Sequence, residues 1–388
     1  MDTNTKKKVC WVVSNEFVVR SFLLDQIAAL QEHYDLTLIV NVGNPHFLED
    51  HGLRVRVMPV GIERQISLWR DLRALARLIW IFSRERFDVV HSITPKAGLL
   101  AMAAGWLTRV PNRIHTFQGE VWITRQGFWR SFLKATDRLV AGLATRLLVV
   151  SFSEQKFLLE QGVIPPGKSQ VLANGSICGV NIARFHPDAV MRADIRKQAG
   201  LADYDMLFLY VGRLTVDKGL LDLAAAFSRL CGVYPDVHLM MVGPDEQGMR
   251  EKILSLTDAA HQRRLHFSGY TKTPEQYMAA ADVLCLPSYR EGFGVVIIEA
   301  AAVGIPAIAS RIYGITDALE ENVTGLLFEA GNIADLVDKM TCLTLDRPFR
   351  HGLGKNAALR ARRDFDQKVV VAAMARHYEH LIADAANK

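Results

Sequence analysis

Twelve short apolar runs, separated by stretches long enough to hold a helix, constrain this chain more than any other feature. In the first half they fall at residues 9–14, 36–40, 55–60, 89–93, 113–117 and 147–151. A second round follows at 206–212, 237–243, 265–269, 283–287, 306–309 and 325–328. Parallel strands buried on both faces read as continuous apolar runs, and each needs a crossover before the next. The rhythm is that of two α/β, doubly wound, Rossmann-like domains. Residues 185–188, Phe-His-Pro-Asp, are the expected linker, because proline disfavours helix in the residue before it. The division is then an N-terminal domain over 1–187 and a C-terminal domain over 188–366. Val370, Ala373, Met374, His377, Tyr378 and Leu381 recur at helical spacing, so 367–383 is expected to be a helix packing back on the first domain. Ligands of such sheets bind beyond the carboxyl ends of the strands, which points to the cleft between the domains.

Length and composition agree with this division. A chain of 388 residues with 50% apolar and 22% charged residues has ample material for two buried cores and is neither disordered nor fibrous. The five cysteines are far apart and show no zinc-site or disulfide spacing, so they read as buried thiols of a reducing compartment. Lys6, Lys7 and Lys8 precede an apolar run too short for a signal peptide, and no stretch reaches the ~18 residues of a membrane span. A soluble, cytoplasmic chain is expected. Residues 1–190 hold 23 Lys+Arg against 16 Asp+Glu, or +7, whereas 191–388 hold 23 against 25, or −2. This asymmetry suits an N-terminal surface facing phosphate or anionic lipid. There is no zinc-finger spacing and no RNA-binding aromatic signature, so nucleic acid is not an expected partner.

The segment Glu291-Gly292-Phe293-Gly294-Val295-Val296-Ile297-Ile298-Glu299 follows an expected strand and opens an apolar helical stretch. Its glycines let a backbone approach a ligand closely, and a helix start offers N–H groups to phosphate. Two carboxylates eight residues apart can accept hydroxyl groups of an extended ligand. With Gly212-Arg213-Leu214, Lys218-Gly219, Val242-Gly243-Pro244, Gly269-Tyr270 and Leu286-Pro287-Ser288, in this order, the chain resembles the retaining glycosyltransferases of family 4, which have the GT-B fold.

That resemblance implies a role for each position. Arg213 and Lys218 would contact the donor diphosphate and stabilise the charge that grows as the sugar leaves. Glu291 would hold donor-sugar hydroxyls and Glu299 the ribose, with the Phe293, Gly294 and Val295 region near sugar and phosphate. Thr94-Pro95-Lys96-Ala97-Gly98-Leu99 and Asn174-Gly175-Ser176 resemble a bacterial subgroup that builds surface polysaccharides or lipid-linked oligosaccharides. There Lys96 would be a cation beside donor or acceptor. Many relatives carry a histidine where this chain has Gln118, so its role would pass to Gln118 or to His115. The expected partners are a nucleotide sugar, in particular a UDP-sugar, and a lipid-linked glycan acceptor. No metal or other cofactor is expected: Asp203-Tyr204-Asp205 reads as a turn before a strand, and the Arg213/Lys218 pair does the work of a divalent ion. A nicotinamide dehydrogenase is disfavoured because no Gly-x-Gly-x-x-Gly follows the first run. A nucleotide-sugar epimerase, a glycosyl phosphorylase and a non-enzymatic glycan- or nucleotide-binding scaffold are the competing readings.

One further segment carries its own pattern. Over residues 64–86, at about 100° per residue, Arg70, Arg73, Arg77 and Arg84 form a stripe bordered by Trp69 and Trp80, with Leu72, Leu75, Ala76 and Ile79 behind it. Such a helix suits the anionic surface of the inner membrane. A second basic and aromatic segment runs Trp122, Arg125, Phe128, Trp129, Arg130, Phe132, Lys134 and Arg138.

Overall fold

A computed structural model describes residues 6–63 and 65–386; Arg64, the start of the arginine-bearing segment, lies outside the described residues. The chain forms two compact units, Met1–Cys178 with Gln367–Lys388, and Gly179–Asp366.

Unit 1 is built on seven parallel strands: β1 (Lys8–Val13), β2 (Asp35–Val40), β3 (Arg56–Pro59), β4 (Val89–Ile93), β5 (Asn112–Phe117), β6 (Arg146–Val149) and β7 (Ser169–Val171). Their order is β3-β2-β1-β4-β5-β6-β7. The crossovers carry α1 (Glu16–Phe22), α2 (Leu24–His33), α3 (Leu68–Glu85), α4 (Pro95–Leu107), α5 (Gly127–Leu143) and α6 (Phe152–Glu160). Strand β7 is not among the expected runs, because Ser169-Gln170-Val171 has one apolar residue and sits at the sheet edge.

Unit 2 has six parallel strands: β8 (Met206–Val211), β9 (Val237–Val242), β10 (Leu265–Gly269), β11 (Val283–Leu286), β12 (Ala307–Ser310) and β13 (Gly325–Phe328), in the order β10-β9-β8-β11-β12-β13. Its helices are α7 (Ala189–Gln198), α8 (Leu220–Val233), α9 (Met249–Ser255), α10 (Ala259–Gln262), α11 (Pro274–Ala280), α12 (Val295–Val303), α13 (Ile315–Ala318), α14 (Ile333–Leu345) and α15 (Arg347–Asp364). The order reverses between β1 and β4 in one unit and between β8 and β11 in the other. Neighbouring crossovers leave to opposite faces at such a point and open a crevice above the strand ends.

The boundary between the units precedes the expected linker. Residues after Cys178 belong to unit 2 because the Val180 N–H donates to the Phe365 carbonyl at 2.7 Å and Arg184 pairs with Glu275 at 2.7 Å. The final helix, α16 (Gln367–Ala386), packs on α2 of unit 1. Its Tyr378 is fully buried and receives the Trp11 indole N–H at 2.8 Å. The hydroxyl lies 2.8 Å from His91 Nδ1, and His91 Nε2 lies 2.7 Å from Thr116 Oγ1. With its acceptor site taken by Trp11, the tyrosine donates to Nδ1, which leaves Nε2–H to donate to Thr116. Burial, above all, holds the His91 ring neutral by pushing its pKa well down.

Two expectations about side chains are corrected by burial. Cys178 is half-buried and Cys342 exposed, so the cysteines are not uniformly core thiols. On α3 the hydrophobic cluster takes Ala74, Leu78, Ile81 and Phe82, and Leu72 and Ala76 face outward, because the helix packs on α4 with a face rotated from the expected one. No helix among the described residues is long and apolar enough to cross a membrane.

Candidate active site

At the reversal point of unit 2, the loops after β8 and β11 meet. The first turns back through Gly212 at φ +152° and closes a short 3-10 turn, Val216–Lys218, on Gly219 at φ +66°. Lys218 thus ends a turn ahead of α8 rather than entering it. A Cβ on Gly219 would lie 2.0 Å from the Pro287 carbonyl oxygen, and one on Gly243 would lie 1.9 Å from the Gly212 carbonyl oxygen. Glycine at these positions brings three loop backbones into contact. Gly219→Ala is expected to destabilise unit 2 by at least about 2 kcal/mol, through the left-handed φ and the clash together; denaturant unfolding with an unchanged midpoint would refute this.

That contact places the charged groups. Lys218 Nζ lies 2.6 Å from Glu291 Oε1, and the Ser288 hydroxyl donates to the same oxygen at 2.8 Å. Lys218 and Glu291 are both largely buried. Two donors on Oε1 hold the carboxylate in one orientation and leave Oε2 to accept a hydroxyl from a ligand. Arg213, half-buried, pairs with Glu246 at 2.8 Å, and its carbonyl accepts the Tyr210 hydroxyl at 2.8 Å. Beneath them Asp217 bridges Thr215 Oγ1 at 2.5 Å and Arg290 Nη2 at 3.1 Å. The sequence reading missed Ser288, Glu246 and Arg290 as partners, since only the close approach of the loops joins them to the cations.

Gly294, at φ +80°, leads into α12 without a side-chain cap, so the backbone amides of Val295 and its neighbour open toward the loop. Gly314 closes on this turn from the next loop, where a Cβ would lie 2.5 Å from the Gly292 carbonyl oxygen. The Phe293 ring is buried against Phe365, with centroids 5.3 Å apart, so this residue can offer a ligand its backbone alone. Glu299 stands on α12 beside the Arg184–Glu275 pair. Burial pushes its carboxyl up to about 7, opposed by Arg184 and reinforced by Glu275.

Unit 1 places its expected residues differently. Lys96, in the first turn of α4 at the β1/β4 reversal, is paired with Asp71 of α3 at 2.5 Å and donates to the Gln65 carbonyl. His115 is corrected from a cleft group to a core side chain. It is 2% exposed, pairs with Ser92 Oγ at 2.8 Å, and burial pushes its pKa down to about 3. Its ring fills the space over Gly98, where a Cβ would lie 2.4 Å away, which explains that glycine inside a helix. Gln118 is half-buried on the loop after β5. The next residue, Gly119, donates its N–H to Glu154 Oε1, and the Val150 N–H reaches Glu154 Oε2 at 3.3 Å. Burial and the neighbouring Glu120 charge push the Glu154 carboxyl well up. This buried carboxyl pair has no sequence signature, because Glu120 comes from the loop after β5 and Glu154 from the first turn of α6.

The segments outside the two reversal points also sort by burial. Trp122 is a core side chain stacked on Phe157 at 5.6 Å, with its indole N–H donating to Asp137 at 2.9 Å, and so leaves the exposed aromatic set. The guanidinium groups of Arg77 and Arg84 lie 4.5 and 5.6 Å from the Trp80 ring centre. Arg70 pairs with Glu63. Asp205 is buried and accepts the Ala202 N–H at 2.7 Å, the geometry of a turn.

Comparison with known proteins places the chain in a family. Residues 191–360 match the family described as glycosyl transferases group 1, and residues 19–175 match the glycosyl transferase 4-like domain. The chain is 26% identical to the capsular polysaccharide biosynthesis glycosyltransferase CapM of Staphylococcus aureus over 85% of its length and 86% of the relative's. It is 28% identical to the UDP-Gal:alpha-D-GlcNAc-diphosphoundecaprenol alpha-1,3-galactosyltransferase of Escherichia coli over 81% of each chain. Anabaena Alr3699/HepE, whose structure contains UDP and glucose, superposes with a TM-score of 0.78 at 20% identity over 96% of this chain and 99% of its own. Two parallel α/β units of this kind, matched along nearly their whole length, make the chain a glycosyltransferase of the group 1 family with the GT-B fold.

Proposed function

We propose that this enzyme moves a hexose or N-acetylhexosamine from a UDP-sugar, with retention of anomeric configuration, to a lipid-linked glycan acceptor in bacterial polysaccharide biosynthesis. The convergence of Arg213, Lys218 and Glu291 at the reversal point of unit 2 carries the reading. A departing nucleoside diphosphate gains negative charge, and two fixed cations stabilise that charge more in the transition state than in the ground state. Glu291 then orients the sugar through Oε2, and Glu299 accepts the ribose hydroxyls. The E. coli relative, which is named for UDP-Gal and a diphosphoundecaprenol-linked sugar, supports the choice of donor and acceptor. Such an acceptor places the enzyme at the cytoplasmic face of the inner membrane, where the exposed face of Arg70, Arg73, Arg77 and Arg84 faces anionic lipid.

The test is release of UDP by purified enzyme from UDP-Gal, UDP-Glc and UDP-GlcNAc, with and without extracted lipid-linked acceptor. Acceptor-dependent release with one donor, and an α-linked product by NMR, is the expected result. Conversion of the donor to an epimeric nucleotide sugar without net UDP release would favour an epimerase, and phosphate-dependent release of a sugar 1-phosphate from a glycan would favour a phosphorylase. Turnover is expected to survive EDTA, because Arg213 and Lys218 supply the positive charge; loss of activity restored by a divalent ion would reject the metal-free reading.

A further inference from the structure

One edge of unit 1 carries apolar side chains that stay exposed among its described residues. At the start of α3, Leu68, Trp69 and Leu72 are exposed, Trp69 to 83%. At the start of α5, Phe128, Trp129 and Phe132 are exposed, Phe128 to 74%. These three rings touch one another, with centroids 5.8 to 6.0 Å apart, so they form one aromatic knob rather than scattered surface residues.

Topology places the two groups together. Helices α3, α4 and α5 each return between parallel strands, so all three begin at the carboxyl edge of the sheet, and α4 packs against both of the others. The tip of α3 and the knob of α5 therefore flank the start of α4 along one edge of the unit. Exposed Arg70 and Arg73 lie beside the first group, and exposed Arg125 and Arg130 beside the second. Residues 125–143 carry Arg125, Arg130, Lys134 and Arg138 against Asp137 alone, so a second copy of the chain would bring like charges together on this face. Bulky aromatic groups interleaved with arginine match the headgroup–acyl boundary of an anionic bilayer.

We propose that unit 1 docks on an anionic bilayer by inserting the amino-terminal ends of α3 and α5, with the adjacent arginines on lipid phosphates. This deepens the peripheral placement proposed above and assigns the contact to apolar insertion rather than to the arginine face alone. Trp80, whose ring carries two guanidinium contacts, is not one of the anchors. The docked edge is also the strand-end edge of unit 1, so an acceptor held in the bilayer would present its headgroup beside Lys96 and Gln118.

The experiment is co-sedimentation of the full chain with phosphatidylglycerol–phosphatidylcholine vesicles at low salt and at about 1 M salt, where screening acts within about 3 Å. Three proteins are compared: wild type, a variant with Phe128→Ser, Trp129→Ser and Phe132→Ser, and a variant with Arg70, Arg73, Arg77 and Arg84 each replaced by glutamine. Wild type is expected to keep part of its binding at high salt, and the aromatic variant to lose about tenfold or more in partitioning at both salts. Quenching of tryptophan fluorescence by brominated lipid should fall in Trp129→Phe. Unchanged melting and unchanged turnover on a water-soluble acceptor analogue show that the variants are folded and that catalysis is separate from docking. Equal partitioning of wild type and the folded aromatic variant overturns insertion, and if the arginine variant alone detaches, the electrostatic reading stands in its place. Should wild type be a dimer that the aromatic variant dissolves and that vesicles leave intact, the edge is an interface between copies and the proposal fails.

Discussion

Replacing Lys218 or Arg213 by alanine is expected to lower kcat by about 10²-fold or more, the loss typical of removing one group that stabilises developing charge. The two losses should differ in kind. Lys218 is largely buried and its partner Glu291 is the proposed sugar ligand, so Lys218→Ala frees the carboxylate to swing as well as removing a cation from the phosphate. Restoring neutrality with Glu291→Gln in the same chain should not rescue turnover, because the missing charge belongs to the transition state. Arg213 is half-buried and paired with the more exposed Glu246, and its loss should leave Glu291 in place and affect only the diphosphate. Single-turnover rates in proteins of unchanged melting temperature decide the matter. Rates within a few-fold of wild type for both variants would remove the two cations from the mechanism.

Nucleotide affinity is expected to rise with pH through Glu299. Its carboxyl titrates near 7 in the unliganded protein, so it is mostly protonated at pH 6 and mostly ionised at pH 8. The ionised form is the better acceptor for two ribose hydroxyls, so binding favours loss of the proton, and UDP affinity should climb by up to about tenfold across this window before levelling. Glu299→Gln should abolish that rise, while titration of the nucleotide's own phosphate, common to both proteins, cancels in the comparison. Glu299→Ala should weaken UDP binding at pH 8, whereas Glu291→Ala should spare UDP binding and lower sugar transfer. Calorimetry giving the reverse assignment would exchange the roles of the two carboxylates.

Strand positions were legible because the central parallel strands are buried and so appear as unbroken apolar runs, while the partly buried edge strands at 56–59 and 265–269 still carry apolar residues. The edge strand Ser169–Val171 lacks that burial and left no such trace. In the candidate site, short local patterns marked Arg213, Lys218, Glu291 and Glu299, since a glycine needed for close backbone approach sits next to a charged group. What they could not mark was pairing across loops. The Lys218–Glu291 and Arg213–Glu246 bonds join residues 73 and 33 positions apart, and the link depends on loop geometry that only the folded sheet supplies. His115 shows the converse. A histidine near the end of a strand reads as chemistry, but the notch at Gly98, seventeen residues earlier in the first turn of α4, turns it into core packing. Helix faces were the least legible. The arginine stripe on α3 is real, but a rotation of the buried face put Leu72 outside, because packing on α4 decides which side turns inward.

The bond chain Trp11–Tyr378–His91–Thr116 has a consequence for synthesis on the ribosome. Unit 2 is continuous in sequence and ends at residue 366, twelve residues before Tyr378. Unit 1, whose strands emerge first, must wait through the translation of some two hundred further residues, about ten to forty seconds at ordinary bacterial rates, before Tyr378 arrives. During that interval the Trp11 indole and the His91 ring border an uncovered groove where α16 will lie. The half made first is therefore completed only once the other half has been translated.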